Sequence, residues 1–354
     1  MIRTLQWAVG NVGRAAVEAI VSHPELELAG ARVYADDKVG RDVGALAGIE
    51  PVGIAAVGTL ADVLACEPDC VVYAPLLPDT SDLCALLEAG VDIVTPLGWF
   101  YPKRIDVSEL EAAARKGGAT LHGTGIHPGG MTEQLPLALS VYSRAITHVR
   151  VEEFSDCRAY GAPDVLRDIM LFGASPEAAA SSPMKDFMGL GFGQAVHLLG
   201  DGLGLRLDDE VRATHEYCLA DRPIEAPFGT IEAGQVAAQR FSWAGTVDGD
   251  VVVEATVNWF MGRDGYACAW DTRGDDRYEI EIAGDPPVRT TIHGIHPDPG
   301  VPLEELRRRN PGIVATAVHC VSAVPYVHRA PSGLAAWTDL PVMAGRAAAS
   351  LGRG

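Results

Sequence analysis

Short apolar runs alternate with segments of helical periodicity through the first third of the chain. The runs predict strands at residues 5–9, 26–34, 69–75, 91–95 and 119–123, with helices between them. Strands that alternate with short helices are typical of a parallel sheet covered by helices on both faces. Because ligands bind beyond the carboxyl ends of such strands, we expect the chemistry in the segments that follow them.

The pattern changes near residue 145. Four later runs alternate apolar and polar positions as strands with one wet face do: residues 148–154, 240–247, 251–259 and 277–283. Helices are predicted near residues 175–180 and 194–203, and the glycine tract at 189–193 is interpreted as a close-packing loop. This part of the chain therefore predicts an α+β domain rich in antiparallel strands.

The turn between the first strand and the first helix is the most informative motif. It contains Ala8, Gly10 and Gly13, and so matches the spacing A-x-G-x-x-G. A glycine there lets the backbone approach a pyrophosphate, another lets helix and strand pack closely, and the helix N-terminus favours the anion. Alanine fits the first position if its φ stays negative. We therefore predict that Gly10, Asn11, Val12 and Gly13 bind a dinucleotide; the alternative is a glycine turn in an unrelated α/β layer.

Composition narrows the class of protein. Hydrophobic residues make up 48% of the chain and charged residues 21%, as in a globular protein. The formal net charge of −19 argues against nucleic acid or an anionic membrane as a partner, because those surfaces attract lysine and arginine. No apolar run has the length of a membrane span, and no signal-peptide pattern precedes the first strand. We expect a cytoplasmic protein.

The cysteines and histidines predict neither a disulfide framework nor a metal site. The chain has seven cysteines, an odd number, without a C-x-x-C pair, so we expect reduced, buried thiols. His293 and His296 form the only close histidine pair and have no acidic or cysteine ligand beside them. We interpret them as loop histidines.

Several motifs together resemble a known family. They are Gly10-Asn11-Val12-Gly13, residues 38–42 and 70–74, Gly125-x-His127-Pro128-Gly129, and the tail segments 323–325, 330–334 and 339–341. The chain is similar to the dihydrodipicolinate-reductase-like proteins, nearest the branch of 2,4-diaminopentanoate dehydrogenases and native amine dehydrogenases. The likeness covers most of the chain and is thin between about residues 150 and 300. It implies NAD(P)H as cofactor and reduction of a C=N bond to an amine.

The resemblance also sets the domain expectations. It implies an α/β fold, with an N-terminal Rossmann dinucleotide-binding domain at residues 1–145 and an α+β substrate and dimerisation domain at 146–305. The segment 306–354 begins with an apolar helical stretch, and we expect it to return to the Rossmann domain.

One loop departs from the family pattern. That branch carries an acidic residue, the expected proton donor, in a pattern like T-x-E-E-x-x-Y-P. This chain has Thr95, Tyr101 and Pro102 in place, but Leu97 and Gly98 hold the two acidic positions. A hydride transfer usually needs a group that supplies one proton, so another residue must be considered.

Three residues near strand ends are candidate catalytic groups. His127 follows a strand and a glycine loop, and histidine is a residue type suited to proton transfer; alternatively it hydrogen-bonds loop backbone. Glu133 either acts as the acid or opens the following helix, where a carboxylate suits the positive end of the dipole. Tyr101 either donates a hydrogen bond or covers the pocket.

The aromatic residues of the same loop predict an apolar environment. Trp99, Phe100 and Tyr101 are consecutive, which is costly in water, so they pack on something. One interpretation is packing between domains. The other is a substrate-pocket wall formed by Leu97, Trp99 and Phe100, which favours a small apolar substrate.

The loop after the second strand bears on cofactor preference. An acidic residue about twenty positions after the glycines would favour NAD, but that place holds Val33 and Tyr34. Asp36 and Asp37 lie slightly later, and Lys38 and Arg41, which suit a 2′-phosphate, lie beyond them. The signs of these charges conflict; the sequence favours NADP, and NAD is the alternative. Ala74 and Pro75, after the third strand, are predicted to line the same cofactor site.

These observations predict a homodimeric, cytoplasmic NAD(P)-dependent oxidoreductase that reduces a C=N or C=O bond of a small apolar molecule. Two alternatives stay open: a ketone or aldehyde reductase that works without ammonia, and a nucleotide-binding protein without turnover that has lost its acid.

Overall fold

The computed structural model describes residues 1–293 and 301–347. By its internal contacts the chain forms two compact units. The first joins Met1–Gly130 with the chain from Ile313 onward, and the second is Met131–Gly312. The predicted fold class, a Rossmann domain with an α+β domain, is confirmed.

The first unit is built on a six-stranded parallel sheet. Its order across the sheet is β14-β5-β4-β3-β1-β2. Val57 adds an isolated parallel bridge to Arg32 on the outer side of β2. The strands are β1 (Ile2–Trp7), β2 (Leu26–Arg32), β3 (Cys70–Tyr73), β4 (Asp92–Thr95), β5 (Thr120–Gly123) and β14 (Gly333–Ala335).

Helices cover both faces of this sheet. One core contains side chains of α1 and α10 and the other contains side chains of α3, α4 and α5. Among the described residues, the α-helices of this unit are α1 (Asn11–Ser22), α2 (Val43–Ala47), α3 (Leu60–Ala65), α4 (Thr80–Glu88), α5 (Ser108–Gly117) and α10 (Pro311–Val327). The apolar residues of α10, such as Cys320 and Val324, belong to the same core as Val17 and Ile20 of α1.

The second unit contains a mixed six-stranded sheet in the order β13-β12-β6-β11-β10-β7. Only β6 and β11 pair in parallel; the other pairs are antiparallel. A small β8-β9 hairpin lies apart from it. The strands are β6 (Arg144–Asp156), β7 (Arg212–Leu219), β8 (Ile224–Ala226), β9 (Gly229–Ile231), β10 (Val236–Val247), β11 (Asp250–Phe260), β12 (Arg277–Asp285) and β13 (Val288–Ile292).

Helix α8 packs on one face of this mixed sheet. Its Phe192, Val196 and Leu199 share a core with Trp243 of β10 and Val257 of β11. The rings of Phe192 and Trp243 stack at 4.2 Å. The helices of the unit are α6 (Leu135–Ser140), α7 (Pro176–Ala180), α8 (Met184–Gly202) and α9 (Leu303–Arg308).

The opposite face of the mixed sheet is polar. The central row that crosses all six strands carries mostly hydroxyls and carboxylates: Thr214, Ser242, Thr256, Glu152, Glu279 and Thr291. The rows on either side carry Arg212, Ala244, Glu254, Arg150, Glu281 and Arg289, and Glu216, Arg240, Asn258, Phe154 and Arg277. These three rows contain five arginines and five glutamates, so their formal charges cancel, whereas the whole chain has a net charge of −19.

The interpretation of the glycine tract as a loop is wrong. Gly189, Gly191 and Gly193 lie inside α8, where burial of the neighbouring apolar side chains outweighs the low helix propensity of glycine. A Cβ at Gly189 would come within 3.1 Å of Nε1 of Trp243, so the small residue lets helix and sheet approach closely.

The expectation of reduced, buried thiols is wrong for four cysteines. Cys218 and Cys268 form a disulfide, with Cα atoms 5.5 Å apart and a sequence separation of 50. Cys66 and Cys84 are free but half-buried. His293 is exposed after β13, and His296 lies outside the described residues. The described residues contain no group of three or more histidine, cysteine or acidic side chains that could hold a metal ion. None of the described helices is long and apolar enough to cross a membrane.

A half-buried carboxyl in the second unit, that of Glu153, generates a pH-dependent prediction. Burial raises the pKa of Glu153 to about 7, against an accepted hydrogen bond from Ser155 (2.6 Å) that lowers it. Since the folded-state pKa lies above the unfolded one, this group stabilises the fold below about pH 4.5 and loses that contribution as the pH rises through 7. A shift of this size corresponds to about 3 kcal/mol.

We therefore expect Glu153→Gln to be more stable than the wild type at pH 8 and to show a smaller fall in the free energy of unfolding between pH 5 and pH 8. Urea unfolding at four or five pH values would measure it. Parallel pH profiles for the two proteins would contradict the assignment.

Candidate functional site

The turn after β1 is shaped by a close approach of helix to strand. A Cβ at Gly13 would stand 2.0 Å from the carbonyl oxygen of Ala8, so only glycine fits there. The side-chain amide of Gln6 donates to the carbonyl oxygens of Trp7 and Ala8, both at 3.0 Å. Ala8 has φ +70°, so the condition that its φ stays negative is wrong: the tight turn holds alanine in the left-handed region.

Gly10 differs from Gly13 in what surrounds it. A Cβ built at Gly10 meets nothing within 4 Å. Gly10 is the N-cap of α1, no side chain caps the helix, and its first turn has no acidic residue. The free N–H groups at Asn11 and Val12 and the positive end of the helix dipole therefore remain available to an anion.

The carboxyl end of β2 lies beside this turn. The N–H of Ala8 donates to the carbonyl oxygen of Arg32 at 3.0 Å. The Arg32 guanidinium lies over the ring of Trp7 (4.1 Å) and the ring of Tyr34 (4.8 Å), and the indole N–H of Trp7 donates to the Tyr34 hydroxyl at 3.0 Å. Sequence reasoning missed Arg32. It could have been found as the last residue of the second strand, 19 positions after Gly13.

Lys38 and Arg41 lie in the loop that follows, around a short turn at Asp36–Lys38. Gly40 and Arg41 are tied through backbone hydrogen bonds to Ala56. Within the described residues, neither the Lys38 nor the Arg41 side chain forms an ion pair, and Arg41 is exposed. Both cations are thus free to meet a ligand.

Ala74 and Pro75 follow β3, the strand next to β1. The N–H of Ala74 donates to the carbonyl oxygen of Trp7 at 3.1 Å, which fixes this segment beside the glycine turn. Leu76 and Leu77 come next and are largely exposed. Strand order reverses between β1 and β3, and ligands of open α/β sheets bind at such a switch point.

The aromatic loop after β4 packs on the core of its own unit. Leu97 and Trp99 contact the core that contains α4 and α5, and Phe100 and Tyr101 are each 5% exposed. The carbonyl oxygen of Gly98 would lie 1.9 Å from a Cβ at Gly123, so the loop closes tightly over the end of β5. Leu97 and Trp99 thus pack within the first unit, whereas the sequence predicted either packing between domains or a substrate-pocket wall.

His127 is carried by a closed loop after β5. Gly130 donates its N–H to the carbonyl oxygen of Gly125 at 2.9 Å, and Ile126 and Gly129 form an isolated bridge, so half-buried His127 lies between these contacts.

Two buried histidines lie near this loop. His122 of β5 donates from Nδ1 to the carbonyl oxygen of Ala335 at 2.8 Å, and the ring of His319 is near Gly130. Burial lowers the pKa of both imidazoles to about 4, so both are neutral at neutral pH. Neither is suited to donate a proton there.

Glu133 belongs to the second unit. It lies in a π-helical turn, Gly130–Gln134, directly before α6, and is 2% exposed. The position is the one expected of a residue that opens the helix, and the burial is what a catalytic carboxyl often shows.

The predicted residues of the first unit thus gather at one edge of one sheet. Gly10 to Gly13 follow β1, Lys38 and Arg41 follow β2, and Ala74 and Pro75 follow β3. The loop of Leu97 to Tyr101 follows β4 and His127 follows β5. Since these strands are parallel, all of these segments leave the sheet at its carboxyl edge. In dinucleotide-binding sheets of this kind the pyrophosphate lies at a helix N-terminus that follows a glycine turn, and the turn at Gly10 to Gly13 has that arrangement.

Comparisons with known proteins identify the family. The sequence profile of the 2,4-diaminopentanoate dehydrogenase C-terminal domain matches residues 131–350. An amine dehydrogenase from Streptomyces virginiae is 30% identical over 97% of both chains. A 2,4-diaminopentanoate dehydrogenase from Acetoanaerobium sticklandii is 23% identical over 66% of this chain and 61% of its own. The structure of an amine dehydrogenase from Mycobacterium smegmatis has a TM-score of 0.75 at 21% identity and covers 98% of this chain and 97% of its own.

The chain is therefore an oxidoreductase with a Rossmann-type domain. It belongs to the 2,4-diaminopentanoate dehydrogenase family, in which amine dehydrogenases are among its relatives.

The two glycines of the turn provide a matched pair of variants. Gly10→Ala places a methyl group in open space, so we expect an unchanged melting temperature but weaker dinucleotide binding. Gly13→Ala forces a Cβ into the Ala8 carbonyl, so we expect a loss of about 1–3 kcal/mol in stability as well.

Thermal unfolding and fluorescence titration with NADPH and NADH would measure the two effects. A Gly10→Ala protein that binds both dinucleotides as the wild type does would contradict the placement of the pyrophosphate.

Proposed function

We propose that this protein is an NADP-dependent oxidoreductase that reduces the C=N bond formed from a small apolar ketone and ammonia. The observation that carries the proposal is the glycine turn, with open space at Gly10 and an uncapped helix N-terminus beside it. Membership of a family with amine dehydrogenase relatives supports the amine chemistry.

The residues present fit a dinucleotide. The N–H groups at Gly10, Asn11 and Val12 would hold the pyrophosphate, and no side chain stands in the way at Gly10. Lys38 and Arg41 would meet a 2′-phosphate, and the backbone at Ala74 and Pro75 would line the path of the cofactor. The bound cofactor supplies a hydride to the carbon of the C=N bond.

The remaining requirements fall on the protein's own side chains. His127 is proposed to hold and release the proton that the product nitrogen or oxygen needs, from the loop beyond β5. The two positions at which the family pattern carries acidic residues hold Leu97, which packs on the core, and Gly98. Tyr101 and Glu133 are the other candidates for the proton donor.

Two other functions remain alternatives. A ketone or aldehyde reductase would use the same hydride geometry without ammonia. A dinucleotide-binding protein without turnover would keep the glycine turn and lack the acid. NADPH consumption with a panel of small ketones, with and without ammonium, separates the three.

We expect slow, ammonium-dependent turnover in the wild type. A general acid typically raises the rate about 10²–10⁴-fold, and Leu97 and Gly98 stand where the family pattern has acidic residues. His127→Asn should lower the residual rate by at least tenfold. Leu97→Glu should raise the turnover rate, because it adds a carboxyl group that can donate a proton. Leu97→Gln places a side chain of the same shape as glutamate but without that acid, and should not raise the rate.

The outcomes of this experiment are distinct. Ammonium-independent turnover supports the ketone reductase, and binding without turnover supports the non-catalytic protein. Fast amination that is indifferent to His127→Asn would contradict the role of His127 and make Glu133 the next residue to replace.

We also propose that two copies of the chain associate through the polar face of the second unit's sheet. In its central row Thr214 and Thr291, on the outer strands, are exposed, and they would be available to a flat partner. Its five arginines and five glutamates are balanced, whereas the whole chain has a net charge of −19. A second copy related by a two-fold axis would present the same balanced set, as an isologous interface requires.

Reversal of two charges on this face tests the dimer. Glu216→Arg with Glu254→Arg should convert a particle of twice 37.4 kDa into one of 37.4 kDa in light scattering. Glu177→Arg with Asp186→Arg makes the same change of charge on α7 and α8 and should leave the mass unchanged. An equal effect of the two pairs would contradict this face as the interface.

A further inference from the structure

The cation at the end of β2 is held in place by four neighbours. Its guanidinium lies over the rings of Trp7 (4.1 Å) and Tyr34 (4.8 Å), and Nη1 donates to Oδ2 of Asp82 at 3.0 Å. Nε makes a longer contact of 3.4 Å with the carbonyl oxygen of Gly58. Arg32 is thus fixed before any ligand arrives, by residues of β1, the loop after β2, the segment before α3 and the first turn of α4.

One donor group of this side chain is left over. Within the part of the chain that the structure describes, Nη2 of Arg32 has no hydrogen-bond partner. The side chain is 14% exposed, so it is partly buried yet open to solvent. A fixed guanidinium with an open donor edge is suited to a phosphate oxygen.

Arg32 lies next to the glycine turn, where the dinucleotide is proposed to bind. The N–H of Ala8 donates to the carbonyl oxygen of Arg32 itself, so the residue borders the turn directly. In dinucleotide-binding sheets an acidic residue in this region binds the ribose 2′-hydroxyl, whereas an arginine accommodates a 2′-phosphate.

We propose that Arg32 is the specificity-determining residue for the 2′ substituent of the adenosine ribose, and that Asp82 limits its preference for a phosphate. The inference rests on the proposed function, since it concerns the same dinucleotide site. Arg32 would act beside Lys38 and Arg41. It loses little side-chain entropy when a ligand binds, because two aromatic rings and the Asp82 carboxylate already hold it in place.

Asp82 acts in the opposite direction. Its carboxylate pairs with Arg32 and is itself 18% exposed, so it offsets part of the positive charge that a phosphate would meet. The pair therefore predicts opposite effects for its two members. A purely structural ion pair would predict that loss of either member weakens the binding of both cofactors alike.

The experiment measures the dissociation constants of NADPH and NADH by fluorescence titration for the wild type and three single variants. Arg32→Gln should weaken NADPH by about 10- to 100-fold, the range of charge-assisted hydrogen bonds, and change NADH less than about threefold. Arg32→Lys keeps the charge and loses the planar fork, so it should fall between. Asp82→Asn should strengthen NADPH and leave NADH nearly unchanged.

Thermal unfolding checks that each variant is folded, and the double variant Lys38→Ala with Arg41→Ala is the comparison. Equal loss of both cofactors in Arg32→Gln, or weaker NADPH binding in Asp82→Asn, would overturn the inference while the proposed function stands. The inference would also be overturned if Lys38→Ala with Arg41→Ala lost the NADPH preference while Arg32→Gln kept it. A wild type that binds neither dinucleotide overturns the proposed function and the inference with it.

Discussion

The contact between Gly13 and the Ala8 carbonyl is the constraint on which the candidate site depends. Helix α1 can lie against the end of β1 only because no Cβ separates them, and a Cβ there would overlap the carbonyl oxygen at 2.0 Å. The same contact fixes where α1 begins, and therefore where its free N–H groups are presented. The Gln6 amide completes the arrangement, since it donates to the carbonyl oxygens of Trp7 and Ala8. The absence of a Cβ at Gly13 thus determines the geometry of the candidate anion site.

The strain in this turn shows the limit of sequence reasoning. Spacing alone identified Gly10 and Gly13, because close approach of the backbone requires glycine and the sequence shows where glycines are. The φ of +70° at Ala8 could not be predicted in this way. The left-handed conformation costs alanine about 1–2 kcal/mol and is adopted only where surrounding contacts enforce it. The parallel sheet of the first unit was predictable for a similar reason: strands buried on both faces leave unbroken apolar runs.

The second unit was harder to predict because its elements are decided by packing. Glycines 189–193 suggest a loop, yet the helix persists because Phe192 and Val196 bury their side chains against β10 and β11. The outer strands β7 and β13 alternate half-buried and exposed positions and were not identified. The pairing of Cys218 with Cys268 requires a distance between residues that are 50 positions apart, and no local pattern contains that distance.

Charge around the glycine turn follows from the same local logic. A chain with a net charge of −19 repels a polyanionic cofactor at long range, but solvent ions screen that repulsion beyond about 8–10 Å. In the proposed site, binding would therefore depend on the few positive groups at the carboxyl edge of the first sheet, which are the N-terminus of α1, the loop cations Lys38 and Arg41, and Arg32 at the end of β2. Of these, Arg32 alone is held by aromatic rings and a carboxylate before binding. The place where an acidic residue would favour NAD holds Val33 and Tyr34, with Asp36 and Asp37 slightly later. Arg32 could not be recognised from the sequence, because Trp7, Tyr34 and Asp82, which surround it, come from three separate segments.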